Sequence, residues 1–174
     1  HNSTMSKKIK IYGERKTNTI YLSKLIGLNF TVQEIPGIGP PIVSKLQKLL
    51  PGKEAVRDFY FFFTYHKNLG WKQTRVMPWE ELKKYNKAND DIVFLTITKN
   101  PYSWLLSLYQ RPYHGHSAKK RTFEEFLRSP WKMTHRDNAG RWSKNPIELW
   151  NIKNNSYLQL HAPNKLNLTT EEIL

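Results

Sequence analysis

Apolar positions along the chain fall into short runs typical of strands and longer stretches with helical spacing. The short runs predict strands at residues 9–13, 30–35, 59–65, Ile92–Thr98 and 165–168. The third and fourth are nearly continuous apolar runs, the pattern of strands buried on both faces. Helices are predicted at residues 19–28, 42–50, 78–85, 101–109, 123–127 and 147–160, with another beginning at Thr170.

The alternation of strands and helices predicts an α/β fold with three layers, in which a mainly parallel sheet is flanked by helices. Pro78 and Pro101 open two of the helices, where the N–H that proline lacks would have no partner anyway. Ligands of such sheets bind beyond the carboxyl ends of the strands. We therefore expect a site after Tyr12, Tyr65 and Thr98.

The composition is that of one folded domain spanning residues 1–174, with residues 1–5 interpreted as a tag remnant. Hydrophobic residues make up 39% of the chain and aromatic residues 13%, which excludes a disordered protein. No apolar run is long enough to span a bilayer. The absence of cysteine excludes disulfides, zinc–thiolate sites and a cysteine nucleophile, and a cytoplasmic location is expected.

The net charge of +14 indicates an anionic partner. Nucleic acid, an anionic membrane face, a polyanionic sugar and a phosphate-rich cofactor all fit this charge. A surface that is basic only for solubility fits it equally well, so charge alone does not choose among them.

The segment after the first predicted strand has the features of an anion-binding loop. A helix N-terminus presents unpaired N–H groups and a partial positive charge. Arg15 and Lys16 add full charges there, and Thr17 and Thr19 add hydroxyl groups. Arg15 stands where the Walker motif of P-loop NTPases needs a glycine, so a typical NTPase loop is not predicted.

The segment after strand Ile92–Thr98 begins a helix that has one polar stripe. Asn100 is a favourable N-cap residue. Four polar residues recur every four positions, at Lys99, Ser103, Ser107 and Arg111. A lysine and a serine hydroxyl on one stripe can hold a phosphate, although an ordinary solvated face has the same pattern.

Together these two segments resemble the nucleotide-binding motifs of PAPS-dependent sulfotransferases, most closely the bacterial and phage-type members. The family's first motif, Lys-Ser-Gly-Thr-(Thr/Asn)-(Trp/Tyr)-Leu, corresponds to residues 16–22, which are Lys-Thr-Asn-Thr-Ile-Tyr-Leu. Its second motif starts Arg-Asn-Pro and has a serine eight residues after the arginine. Here Lys99-Asn100-Pro101 is followed by Ser107. The resemblance covers most of the chain from about Ile9 onward.

The resemblance implies a P-loop NTPase-like sulfotransferase fold and transfer of a sulfuryl group from 3'-phosphoadenosine 5'-phosphosulfate (PAPS) to a hydroxyl or amine. Lys16 would be catalytic, neutralising charge on the leaving phosphate oxygen. The backbone of residues 17–20 would hold the 5'-phosphate, and Lys99 and Ser107 the 3'-phosphate. The implied cofactor-binding residues are Arg15, Lys16, Thr17, Asn18, Thr19, Ile20, Lys99 and Ser107.

Three residues depart from the family pattern. Asn18 replaces the loop glycine, Ile20 replaces a usually polar residue, and Lys99 replaces an arginine, keeping the charge without the bidentate fork. No match is found to the family's glycine-containing basic segment that closes over the 3'-phosphate. The chain is therefore interpreted as lacking the C-terminal part of the family domain.

A general base is expected to deprotonate the acceptor. The first candidate is His66, which directly follows the predicted strand 59–65, and Glu14 is a weaker one. No metal site is expected, because His114 and His116 have no carboxylate or cysteine nearby. The loop that contains them, residues 112–121, is predicted either to line the acceptor entrance or to be simply mobile.

Two other functional classes stay open. A kinase-like enzyme on the same fold would prefer ATP and Mg²⁺. A non-enzymatic RNA or polyanion binder would use the positive charge together with tryptophans for stacking. Its basic residues are spread along the chain, however, and no RNA-binding motif is present, so a specific nucleic-acid partner is not predicted. The acceptor stays open among polysaccharides, lipids, small alcohols and peptide tyrosines. A small molecule or a glycan is expected, and the basic surface slightly favours an anionic one.

Overall fold

A computed structural model describes residues 7–52, 54–89, 91–113 and 121–174. The strands are β1 (Lys8–Gly13), β2 (Gln33–Glu34), β3 (Ile92–Thr98), β4 (Trp131–Lys132), β5 (Trp142–Ser143) and β6 (Lys165–Thr169). The helices are α1 (Thr19–Asn29), α2 (Pro41–Leu49), α3 (Ala55–Asn68), α4 (Trp79–Leu82), α5 (Pro101–Gln110), α6 (Phe123–Arg128), α7 (Pro146–Leu158) and α8 (Thr170–Ile173). None of the helices among these residues is long and apolar enough to cross a membrane.

The main sheet has four parallel strands in the order β2-β1-β3-β6. It is flanked by helices, as the alternating pattern predicted. Tyr12 and Phe94 point into one core with Tyr157 of α7. Ile11 and Ile97 point into another with Leu22 of α1. Because side chains alternate along a strand, these two cores lie on opposite faces of the sheet.

A third core joins α5, α6 and α7 beside the sheet. Trp104 and Leu108 of α5 pack with Phe126 of α6, Trp131 of β4 and Leu149 of α7. Helix α6 begins with a capping box, in which Thr122 and Glu125 bond each other's backbone N–H groups. The short antiparallel pair β4–β5 lies against this core.

The prediction of a strand at residues 59–65 is wrong. This segment belongs to the 14-residue helix α3, in which Phe61 is buried but Phe59, Phe62 and Phe63 are all more than 60% exposed. A short continuous apolar run does not distinguish a strand from a helix, and it suggested burial on both faces where only one face is buried. The predicted strand 30–35 is present only as the two-residue β2.

Candidate functional site

The loop between β1 and α1 begins at a tightly packed glycine. A Cβ at Gly13 would lie 2.4 Å from Cγ2 of Ile97 and 2.9 Å from its carbonyl oxygen. No larger residue fits there without moving β3 away from β1. Close contact between the two strands therefore fixes the point where the loop leaves the sheet.

Two residues of this loop have left-handed backbone conformations. Among the described non-glycine residues, φ is positive only at Lys16 (67°), Asn18 (64°), Leu69 and Asn138. Asn18 thus adopts the conformation that the glycine of the resembling motif would take easily, and asparagine tolerates it better than most residues. Left-handed residues that alternate with ordinary ones turn successive N–H groups toward one concave surface, a recurrent anion-binding arrangement.

The N-terminus of α1 adds further donors to this surface. Asn18 occupies the N-cap position, but its side chain makes no capping hydrogen bond. The first amides of any helix have no intrahelical acceptor. The start of α1 therefore offers N–H groups and a partial positive charge to an anion that binds at this end of the helix.

The loop side chains divide by exposure. Lys16, Asn18 and Ile20 are exposed, whereas Thr17 and Thr19 are buried. The hydroxyl of Thr17 donates to the carbonyl oxygen of Glu14 at 2.6 Å, so its proton is used within the loop. Of the predicted loop residues, Lys16 is the one that presents a full positive charge at the surface.

Beyond β3, the structure brings together two of the four residues that the four-residue spacing put on one stripe. Nζ of Lys99 lies 3.2 Å from Oγ of Ser107, which donates to the carbonyl oxygen of Ser103 at 2.9 Å. Both Lys99 and Ser107 are half-buried. Asn100 caps α5 by accepting from the N–H groups of Tyr102 and Ser103. An ammonium and a hydroxyl thus lie side by side beyond the carboxyl end of β3.

The two arrangements are next to each other. Gly13 of β1 pairs with Ile97 of β3, so the loop and Lys99 leave adjacent parallel strands, which are about 4.8 Å apart. Trp104 of α5 donates its indole N–H to the carbonyl oxygen of Arg15 at 2.7 Å. The backbone N–H of Asn100 donates to Glu171 of α8 at 3.1 Å. The β1 loop, α5 and α8 therefore form one connected group.

Behind the loop lies a buried network of four charges. Arg15 Nη1 lies 3.3 Å from a carboxylate oxygen of Asp137, and Lys153 Nζ lies 2.6 Å from the same oxygen. Glu14 pairs with Lys153 at 3.1 Å. The guanidinium of Arg15 stacks between the rings of Trp71 and Tyr113, 4.4 Å and 3.9 Å from their centroids. Of the predicted cofactor residues, Arg15 thus directs its charge inward and supports the loop from behind.

Within the network, Asp137 and Arg15 are held in their charged forms. Burial alone would raise the pKa of Asp137, but Lys153 and Arg15 hold it well below its usual range. Burial would lower the pKa of Arg15, but Tyr113, Asp137 and Glu14 raise it overall. Two anions thus face two cations within the network. No sequence pattern indicated this arrangement, because Arg15 and Asp137 are 122 positions apart.

His66 is not at a strand end, which corrects the premise on which it was selected. It lies in the last turn of α3 and is exposed. The segment that runs beside the carboxyl end of β1 is instead around Lys72. The carbonyl oxygen of Lys72 accepts from the N–H of Gly13 at 2.9 Å. The backbone N–H of Lys72 donates to the carbonyl oxygen of Gly37 at 3.0 Å. Glu14 is fully buried among the network charges, so it does not face an acceptor.

Lys72 was missed because its segment has no apolar periodicity. It is half-buried, and burial lowers the pKa of its ammonium group, while the nearby Glu34 opposes that change. The glycines at positions 37 and 70 could have drawn attention to this segment. A Cβ at Gly37 would lie 2.5 Å from the Cβ of Lys72, so glycine lets the two backbones approach closely. His114 and His116 lie outside the described residues, within which no group of three potential metal ligands is found.

Comparison with known proteins gives no family assignment. The chain matches no family model, no curated protein and no solved structure. Function must therefore be inferred from the geometry of the loop and of the Lys99–Ser107 pair.

Proposed function

We propose that this protein is a PAPS-dependent sulfotransferase with a P-loop-like nucleotide site at the carboxyl ends of β1 and β3. One observation supports the proposal: two separate groups of positive charges and hydrogen-bond donors follow adjacent parallel strands. The first is the β1 loop with Lys16 and the start of α1, and the second is the Lys99–Ser107 pair. A nucleotide with phosphates at both its 5' and 3' positions needs two such sites.

The β1 loop fits the 5' end of the nucleotide. Asn18 has the left-handed backbone that this loop requires, so replacing the glycine of the motif does not prevent the fold of the loop. The first amides of α1 would hold the 5'-phosphate, with Thr17 and Thr19 shaping the loop from within. Lys16 would place its charge beside the oxygen that bridges phosphorus and sulfur.

The Lys99–Ser107 pair fits the 3'-phosphate. A lysine interacts with phosphate as a point charge, so the missing bidentate fork of an arginine weakens this site without removing it. The half-buried position strengthens the interaction relative to open solvent. This second site is the feature that distinguishes the proposed ligand from ATP.

The chemistry follows from positioning and charge. When bound, PAPS would supply the sulfuryl group. A bond would form between sulfur and the acceptor oxygen or nitrogen, while the bond between sulfur and the phosphate oxygen breaks and leaves its electron pair on that oxygen. Lys16 would stabilise the negative charge on that oxygen. A base must remove the proton of the acceptor. His66, which is exposed on α3, stays the predicted candidate for this role.

Calorimetric titration with adenosine 3',5'-bisphosphate tests the proposal, with AMP and with ATP plus Mg²⁺ as comparison ligands. We expect binding that depends on the 3'-phosphate. Tighter binding of ATP with Mg²⁺ would favour a kinase-like enzyme instead. Tighter binding of a short oligonucleotide, with the salt dependence of phosphate contacts, would favour a polyanion-binding module. Incubation of PAPS with acceptor mixtures would then test transfer directly.

A further inference from the structure

A groove separate from the nucleotide site crosses the surface near the start of α3. Its main part is a cleft of about 970 Å³ between α3 and residues 132–141, with Arg75 and Ile152 at its sides. A smaller depression of about 240 Å³ shares Asp58, His135 and Asn138 with the cleft and continues to Trp71. Because Trp71 stacks on Arg15, the groove leads toward the base of the β1 loop.

The two acidic residues of the cleft share one buried arginine. Arg136 has a fully buried side chain that pairs with Glu54 at 2.5 Å and with Asp58 at 3.0 Å. The backbone N–H groups of His135 and Arg136 also donate to Asp58. Both carboxylates are thus held by the protein itself. The single guanidinium balances one of them, so the two acids and Arg136 together leave one negative charge against the three cations of the cleft.

The cationic residues of the cleft differ from the acidic ones in this respect. Lys132 and Arg141 are exposed, and Arg75 uses its Nε to donate to the carbonyl oxygen of Asn138 at 2.7 Å. Within the described part of the chain, none of these three cations is paired with a carboxylate. The groove is therefore positively charged where a ligand would enter.

The remaining lining is apolar. Met133 is buried beneath the cleft, and Ala55 and Ile152 line it. An adjoining depression of about 380 Å³ has the exposed rings of Phe59 and Phe62 at its edge. The rings can stack on the C–H faces of a sugar, while the cations bind its acidic groups. Among the described residues, His135 has the only aromatic ring in the main cleft, which disfavours a run of stacked nucleic-acid bases.

We propose that this groove binds an acidic oligosaccharide that carries carboxylate or sulfate groups. Arg75, Lys132 and Arg141 contact those groups, and Phe59 and Phe62 stack on a sugar ring. The role of the saccharide as sulfuryl acceptor depends on the proposed function, whereas its binding does not. If the bound oligosaccharide is the acceptor, the expected acceptors are anionic glycans, a narrower class than small molecules and glycans in general.

Calorimetry with a heparin-derived hexasaccharide tests the groove. The double variant Lys132→Gln/Arg141→Gln should lower affinity at least about tenfold, since two charge contacts are removed. The matched control Lys45→Gln/Lys48→Gln removes the same charge from exposed positions on α2 that do not line the groove. It should change affinity by less than about twofold, because only long-range attraction is affected. Phe62→Ala should weaken binding at constant charge.

Three outcomes would overturn the inference. Equal losses in both double variants would show binding to total charge alone. Equal affinity for maltohexaose would show that the acidic groups are not recognised, and tighter binding of hexathymidylate would identify a nucleic-acid surface. Adenosine 3',5'-bisphosphate is titrated into every variant as a separate readout. If it fails to bind anywhere while the hexasaccharide result holds, the proposed function is wrong and the saccharide site remains.

Discussion

The hydroxyl of Thr170 donates to the carbonyl oxygen of Thr17 at 3.0 Å, joining residues that are 153 positions apart. Thr170 is the first residue of α8, which directly follows β6. The bond is buried and acts on the middle of the β1 loop, between the two left-handed residues Lys16 and Asn18. The end of the described chain therefore helps to set the conformation of the proposed phosphate loop.

Replacing Thr170 with valine should weaken binding of adenosine 3',5'-bisphosphate by about threefold to tenfold, the worth of one buried hydrogen bond. Valine keeps the shape of the side chain and removes only the donor. Thr170→Ser keeps the donor and serves as the control, with affinity close to that of the wild type. The measurement is calorimetric titration. Equal affinities of the valine and serine variants would show that this bond does not position the loop.

Substitutions at Asn18 test the left-handed conformation of the loop. Asn18→Gly should fold with equal or greater stability, because glycine adopts positive φ freely. Asn18→Val should lower the free energy of unfolding by about 1–2 kcal/mol, the cost of a left-handed residue with a branched side chain. Chemical denaturation measures both. Ile20→Val, at an exposed position two residues later, is a control that should have little effect.

The two halves of the proposed nucleotide site should respond differently to variants. Lys99→Ala should lower affinity for adenosine 3',5'-bisphosphate by about tenfold to a hundredfold, since a charge-assisted contact is lost. The affinity of the Lys99→Ala variant for AMP should be unchanged, because AMP has no 3'-phosphate. Lys16→Ala should weaken the binding of both ligands. Lys45→Ala, on α2, controls for total charge. A parallel loss of AMP and bisphosphate binding in Lys99→Ala would contradict the assignment of Lys99 to the 3'-phosphate.

The geometry of the proposed nucleotide site was largely predictable because its residues are close in sequence. Strand β1, the loop and α1 follow one another, and Lys99 and Ser107 are eight positions apart on one helix stripe. Patterns of this length are set by local geometry. The direction in which Arg15 points was not predictable, because it depends on Asp137, Trp71 and Tyr113 from elsewhere in the chain.

The prediction for α3 failed for a related reason. Its run of phenylalanines implied complete burial, but the helix buries one face and leaves three rings exposed, of which Phe59 and Phe62 line the depression beside the groove. Only tertiary structure decides which side of such a run faces the core. Because this segment forms a helix and not a strand of the sheet, His66 does not lie at a strand end, where a base was expected.

Breaking the buried network should be costly. Asp137→Asn keeps the size of the side chain but leaves Glu14 to balance both Lys153 and Arg15. We expect a loss of about 3–5 kcal/mol in the free energy of unfolding, as for other buried pairs that lose one partner. The control Glu124→Gln breaks an exposed pair with Arg128 and should cost about 0–1 kcal/mol. Similar costs for the two variants, measured by denaturation, would show that the network is not needed for folding.

Lys10 should make stability depend on pH. Its ammonium group is fully buried in β1 and donates to the carbonyl oxygen of Gly70 at 2.7 Å. Burial lowers its pKa from 10.5 to about 7, against an opposing effect of Glu34. Between these two values the unfolded chain holds a proton that the folded protein has released. The free energy of unfolding should therefore rise with pH from about 7 toward 9, and level off below 7, where Lys10 is charged in both states.

Lys10→Met isolates this contribution, because other buried groups change stability over the same range. Burial also lowers the pKa of Lys72, which adds a slope of the same sign. The difference between wild type and Lys10→Met should correspond to about one proton per molecule across this window. Denaturant titrations at a series of pH values, from about 6 to about 9, measure it. Parallel curves for the two proteins would mean that Lys10 keeps its proton in the folded state, held by Gly70 and by Pro36, whose carbonyl oxygen is 3.3 Å away.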